Sequence, residues 1–300
     1  MTVESDSKEG GKQAISAWLS QWQALLDEGA ALDAQHPGVP HGGASASGKC
    51  CVMVSPHPDD ECIVGALPLR LLRQGGWRVV NLAVTHGSNP QRQLARPAEL
   101  EKACQVLGFE NRLLAPRGLV RVSEASRSQE PGHWANCVEV VAQQIRALQP
   151  DLLLCPHPQD AQAAHRGTYC LLMDVLAGMP AHYSPLVAMT EYWSTMAAPN
   201  LMLQVDVPEL AVLLSALMQH AGEITRNPYH LSLPAWMMDS VRRGAELVGK
   251  PGDVAPRFSF ATLYRVMRWH PGDHTGGGLQ PAWEGGRFAP CGDRLAFLQG

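Results

Sequence analysis

Cys50-Cys51-Val52-Met53-Val54-Ser55-Pro56-His57-Pro58-Asp59-Asp60-Glu61 runs five apolar residues and a serine into a turn carrying one histidine and three acids. An apolar run of that length, closed by proline, predicts a short strand buried on both faces. Working outward, residues 60–73 predict a helix that stops at Gly75-Gly76, and residues 77–85 predict a second strand. Pro97 opens a helix with Leu100, Ala103, Cys104 and Leu107 on one face and Gly108 at its end. Residues 112–115 predict a short third strand. Cys137, Val138, Val141, Ile145 and Leu148 mark another helix, closed by Pro150. Residues 151–155 predict a fourth strand, followed by a second Pro-His-Pro turn and a helix over residues 165–176. Strands alternating with helices predict βαβ units, and hence an α/β fold built on a mostly parallel sheet.

The flanks read differently. Ile15, Trp18, Leu19, Trp22, Leu25 and Leu26 recur at helical spacing, which predicts an amphipathic N-terminal helix. Residues 35–48 are rich in Gly, Ala, Ser and Pro and read as a linker. Residues 118–132 are polar and irregular, a candidate loop over the site. Asp206 and Glu209 form a capping-box pattern ahead of Leu210, Leu213, Leu214 and Leu217. A further helix is expected over residues 234–248 and a strand over residues 258–267. The expected division is an N-terminal helix and linker at 1–48, an α/β domain at 49–270 and a loosely ordered Gly- and Pro-rich tail at 271–300.

Composition narrows the function. A formal net charge of -4 argues against a nucleic-acid partner, which usually needs a basic face. No apolar stretch is long enough to span a bilayer, and residues 1–12 lack a signal peptide's basic start and apolar run. The expected location is cytoplasmic, and the eight cysteines then read as reduced, buried thiols. The glycine-rich stretches match no nucleotide-binding fingerprint.

The chemistry gathers at the strand ends, where ligands bind in open α/β sheets. His57 and Asp60 offer an imidazole nitrogen and a carboxylate oxygen, both ordinary zinc donors. Asp59 between them is free to serve as a general base. After the fourth strand, Pro156-His157-Pro158-Gln159-Asp160 repeats the pattern of the first turn, and His165 follows. Either His157 or His165 would complete a three-ligand site, and the residues alone do not choose between them.

Taken together, residues 52–165 resemble the LmbE/PIG-L family of zinc-dependent N-deacetylases. That family's signature, a strand followed by His-Pro-Asp-Asp-Glu, is met residue for residue from His57 to Glu61. Thr85-His86-Gly87, Arg96-x-x-Glu99, Leu107-Gly108 and Pro150-Asp151 fit further family positions. The resemblance implies a Rossmann-like sheet and a Zn2+ ion held by His57, Asp60 and His165, with Asp59 as general base on the zinc-bound water. It implies hydrolysis of an N-acetyl or related acyl group from a small-molecule amino sugar or glycoconjugate. An amidase for larger acyl groups and a non-catalytic carbohydrate-binding member of the fold are the alternatives. The second motif departs from the family pattern. Where the family has an inner His-Pro-Asp, this chain has Gln162-Ala163-Ala164, so Gln162 stands where the family places an oxyanion donor.

The remaining candidates face the substrate. Arg96 is expected to do so by resemblance, with a same-helix ion pair to Glu99 or Glu101 as the competing reading. His157, Asp160 and His230 are further substrate-binding candidates. His86 ends a strand near the site, and Trp193, Trp236 and Trp269 are weighed between sugar stacking and core packing.

Overall fold

The computed structural model describes residues 3–31, 46–252, 254, 256–272, 278–293 and 295–298. The elements in chain order are α1 (Val3–Ala30), β1 (Cys50–Ser55), α2 (Asp60–Ile63), α3 (Ala66–Gly75), β2 (Arg78–Ala83), α4 (Arg96–Leu107) and β3 (Glu110–Leu113). Then come α5 (Glu124–Gln129), α6 (Pro131–Leu148), β4 (Leu152–Pro156), α7 (Ala163–Ala177), β5 (Leu186–Thr190) and β6 (Leu201–Val205). The chain continues through α8 (Val207–Leu217), α9 (Ala221–Arg226), α10 (Tyr229–Leu247), β7 (Phe260–His270), β8 (Gly278–Pro281) and β9 (Arg287–Ala289).

These strands form one sheet in the order β3-β2-β1-β4-β5-β7-β6-β9, with β8 paired to β7. The pairs β2–β3, β1–β2, β1–β4 and β4–β5 are parallel, whereas β7 runs antiparallel to β5, β6 and β8. The fold is therefore mixed α/β with a mostly parallel central sheet. Successive side chains of β1 enter opposite layers, as a strand's period of two requires. Cys51 and Met53 join the core under α3, α4 and α8, while Cys50, Val52 and Val54 join the core under α6 and α7. The order of the parallel strands reverses beside β1: β2 and β3 lie on one side and β4 on the other. That is a topological switch point, where the loops after β1 and β4 diverge and leave a crevice.

Several boundaries differ from expectation. The helix expected over residues 60–73 is broken into α2 and α3 at Gly65, where a Cβ would lie 2.2 Å from the Glu61 carbonyl oxygen. β3 begins two residues earlier than expected, and α10 starts at Tyr229 with Pro234 inside it. β5 and β6 were not foreseen, because five-residue apolar runs carry no period that separates a strand from a buried helix. The polar segment 118–132 is not a loop over the site. Ser123 caps α5 by accepting a hydrogen bond from the Ser126 amide, and α6 begins at Pro131. The capping box at Asp206 and Glu209 forms as expected.

The tail is also corrected. Its described residues add β8 and β9 to the sheet and bury Ala289, Leu295 and Phe297. Composition signalled looseness there, but pairing with β6 and β7 outweighs it. The expected linker falls mostly on residues 32–45, outside the described residues. α1 is helical as its periodicity required, yet Trp18, Leu19, Trp22, Leu25 and Leu26 remain exposed. The eight cysteines are unpaired.

Candidate metal centre and its pocket

The turn after β1 is pinned before it presents any chemistry. Thr85 donates its hydroxyl to the Pro56 carbonyl at 3.0 Å, and Thr85 Oγ1 in turn accepts the Gly87 amide at 3.2 Å. Gly87 has φ +80°, and a Cβ there would sit 2.7 Å from an Arg96 guanidinium nitrogen. Only glycine meets both conditions cheaply.

His57, Asp60 and His165 converge across the switch point. His57 Nδ1 lies 3.3 Å from His165 Nε2 and 3.5 Å from Asp60 Oδ2, and His165 Nε2 lies 3.7 Å from the same oxygen. Zinc bonds of 2.0–2.1 Å in a tetrahedron space the ligand atoms about 3.3–3.4 Å apart, so this triangle fits such an ion. The donors are two nitrogens and one oxygen, His165 is fully buried and Asp60 nearly so. The His57 amide also donates to Asp60 Oδ2 at 2.8 Å, which fixes the carboxylate.

His165, and not His157, lies beside His57 and Asp60. His157 turns its ring Nε2 to the Ser194 carbonyl at 3.0 Å, and its Nδ1 accepts the Gln159 amide at 3.3 Å. It braces the loop after β4 and does not line the pocket, which corrects its assignment to substrate. Asp160 is corrected in the same way. It is buried, accepts the amides of Gln162 at 2.8 Å and Trp193 at 3.1 Å, and lies 3.6 Å from His165 Nδ1. Burial pushes its pKa up, but the interactions with His165, Gln162 and Trp193 offset this and hold it below the usual carboxylate range. Asp160 thus faces the His165 ring beyond hydrogen-bond reach, on the side where Ala164 offers no polar group. His230 is the third correction: it lies outside the pocket, with its ring against the Gly29 backbone of α1.

Asp59 stands beside the triangle, 7% exposed and without a side-chain hydrogen bond. Burial first, and then the neighbouring Asp60, push its pKa well above the ordinary value, while Arg96 pulls the other way. Its backbone occupies the left-handed region at φ 111°, costly for a residue with a side chain. The conformation is held by Glu61, whose Oε2 accepts the Asp59 amide at 2.9 Å and whose Oε1 lies 2.7 Å from His220 Nε2. Glu61 and His220 are fully buried. His220 had no partner visible in sequence, because the two are 159 positions apart.

The cavity over these groups measures about 280 Å³. One wall is cationic. Arg96 pairs with Glu223 of α9, and neither Glu99 nor Glu101 is its partner. Arg92 and Arg226 reach the same carboxylate at 3.2 and 2.6 Å. Burial would raise the Glu223 pKa, but the hydrogen bonds from Arg96 and Arg226 prevail and pull it down to about 2. Glu223 carried no sequence signal beyond being one acid among many.

Four residues of the cavity hold buried polar atoms without a protein partner: Arg92 (Nε), Arg96 (Nε and Nη1), His86 (both ring nitrogens) and Gln162 (Oε1). Burial and the Arg96 charge lower the His86 pKa and so favour its neutral form. The opposite wall is aromatic. Tyr192 sets its ring edge-on to His165 at 4.7 Å, and Trp193, Tyr229 and Trp236 follow at centroid spacings of 6.0 and 6.2 Å. Trp193 and Trp236 are therefore pocket residues, whereas Trp269 belongs to the core.

No curated protein matches the chain by sequence. Among solved structures, N,N'-diacetylchitobiose deacetylase from Pyrococcus horikoshii is 20% identical at a TM-score of 0.51, with 83% of this chain and 92% of that one covered. The A40926 pseudoaglycone deacetylase Dbv21 is 17% identical at 0.51, with 72% and 95% covered. GalB, the 4-carboxy-2-hydroxymuconate hydratase from Pseudomonas putida KT2440, is 15% identical at 0.54, with 73% and 95% covered. At these identities the likeness is one of fold, and a hydratase among the neighbours shows that the fold alone does not select the reaction. Residues 52–176, from within β1 to the last turn of α7, match the family described as "PIG-L: GlcNAc-PI de-N-acetylase", and the chain carries a domain of this PIG-L (LmbE-like) family.

Proposed function

We propose that this protein is a zinc-dependent hydrolase that removes an N-acetyl or related acyl group from an amino-sugar-type small molecule. The observation that carries the reading is a three-donor triangle of tetrahedral dimensions with an uncoordinated, buried carboxyl, Asp59, beside it. His57, Asp60 and His165 would hold the ion, with the Asp160 carboxylate beside His165 Nδ1 to favour the ring orientation that faces it. A zinc ion bound there supplies Lewis acidity, polarising the acyl carbonyl and acidifying water.

The chain's own groups do the rest. Asp59 accepts the proton of the attacking water and returns it to the departing amine. Gln162 lines the cavity, and its side-chain NH2 would be the donor to the developing oxyanion; an amide donates without needing to be charged. The unpartnered atoms of Arg96 and His86 call for hydroxyl-type partners, which a sugar provides in number. The deacetylase neighbours are compatible with this reading.

Metal analysis and acetate release from a panel of N-acetyl sugars test it together. The expected result is about one zinc per chain, activity lost on chelation and regained with zinc. Asp59→Asn should keep the metal yet lower kcat by roughly 10²–10⁴. Full activity in that variant would remove Asp59 from the mechanism.

A further inference from the structure

A second cleft, about 200 Å³, opens from the metal pocket and shares Ile63, Tyr192, Trp193 and Trp236 with it. The two spaces differ in chemistry. The first holds buried polar atoms awaiting partners. In the second, the charged residues satisfy one another: Arg243 reaches Glu191 at 2.9 and 2.5 Å and Asp239 at 2.9 Å. Its other walls include Leu233, Met237 and Leu263. No free charge calls for a polar occupant there, and the Thr262 hydroxyl is the unpartnered buried polar group among its described lining residues. An apolar cavity of about 150 Å³ already accommodates benzene, so this one has room for a ring or a short alkyl chain.

The direction of an amide decides what that occupant is. An amide is planar and its N-substituent and acyl chain leave on opposite sides. With the carbonyl at the metal ligands and the hydroxylated amine against His86 and Arg96, the acyl chain points away from that polar wall. The threshold it meets is Ile63, three positions beyond Asp60, and Tyr192, whose ring stacks edge-on to His165. We propose that this cleft is the acyl subsite, and that the preferred acyl group is an alkyl or aryl chain larger than acetyl. The inference rests on the hydrolase reading above. The reaction is R–CO–NH–R′ with water giving R–COOH and R′–NH2: the C–N bond breaks, a C–O bond forms, and the water proton ends on the amine.

The test is a series of N-acetyl-, N-butanoyl-, N-hexanoyl- and N-benzoyl-glucosamine, scored by amine release from the zinc-loaded protein. Through the alkyl members kcat/KM should rise about fourfold per methylene. Ser240→Phe, which fills the cleft from α10, should collapse the hexanoyl-to-acetyl ratio toward one. Thr195→Trp, which covers the cleft from the opposite side, should do the same. A ratio is insensitive to partial misfolding of either variant. A flat or falling profile, or a ratio untouched by both substitutions, overturns the proposal. If no member is hydrolysed, the hydrolase reading fails and binding decides the cleft. Tighter binding of N-hexanoyl- than N-acetyl-glucosamine, read by tryptophan fluorescence, supports it, and equal or weaker binding overturns it.

Discussion

Asp59 is held where it is by a residue that never touches the pocket. The His220–Glu61 pair is fully buried, and Glu61 spends its second oxygen on the Asp59 amide. Removing one partner of such a pair leaves a buried polar group unmatched. His220→Ala is therefore expected to cost about 3–5 kcal/mol in a denaturant melt. A loss under about 1 kcal/mol would show that Glu61 finds another partner. Gly87 makes a similar demand one loop away. Gly87→Ala meets both a positive φ and the Arg96 guanidinium, so weaker sugar binding is expected, read as a raised KM at unchanged zinc content.

At the scale of elements, the α8–α9 corner braces two walls at once. His220 holds the turn after β1, and three residues later Glu223 collects Arg92, Arg96 and Arg226. Glu223 has a folded pKa near 2 against an ordinary 4.5. A depressed carboxylate contributes stability that is fully present above about pH 4.5 and is lost as pH falls toward 2. Glu223→Gln should thus destabilise the protein at neutral pH by up to about 3 kcal/mol, and the gap from the wild type should close through that window. A gap unchanged between pH 6 and pH 2.5 would mean that the arginines stabilise nothing through this carboxylate. The α2–α3 break is the other decisive element. It ends the first helical turn early, so that Ile63 and Val64 border the clefts and are not carried on along a straight helix.

For the whole molecule, the sheet is longer than its parallel half suggests. β9 pairs with β6, and the segment that follows places Leu295 and Phe297 in the same core as α3 and α4. Arg70, fully buried, pairs with Glu209 and reaches the carbonyls of Ala289 and Pro290. Truncation after residue 277 would delete two buried apolar side chains and leave Arg70 Nη1 without its carbonyl partners, while Nη2 keeps Gln204 and Glu209. Each large apolar side chain contributes about 1.5–3 kcal/mol, so Tm should fall by roughly 10 °C or more. An unchanged melting curve would mean that the tail only decorates the sheet.

The sequence by itself determined four strands of the parallel half, β1 to β4, and the turn that carries His57, Asp59 and Asp60. A strand buried on both faces, a proline stop and a dense cluster of donors are local patterns, and local sterics and burial suffice to read them. It also placed Asp59, Asp60 and His57 together, since five consecutive positions cannot separate. The residues left His157 and His165 open and the family resemblance named His165; tertiary structure brought His165 to His57 and Asp60, set Asp160 against it, put His230 outside the pocket and recruited His220 and Glu223. Those outcomes depend on which side chains meet across the sheet's switch point. Contacts between residues more than a hundred positions apart are fixed by packing, and no local pattern records them.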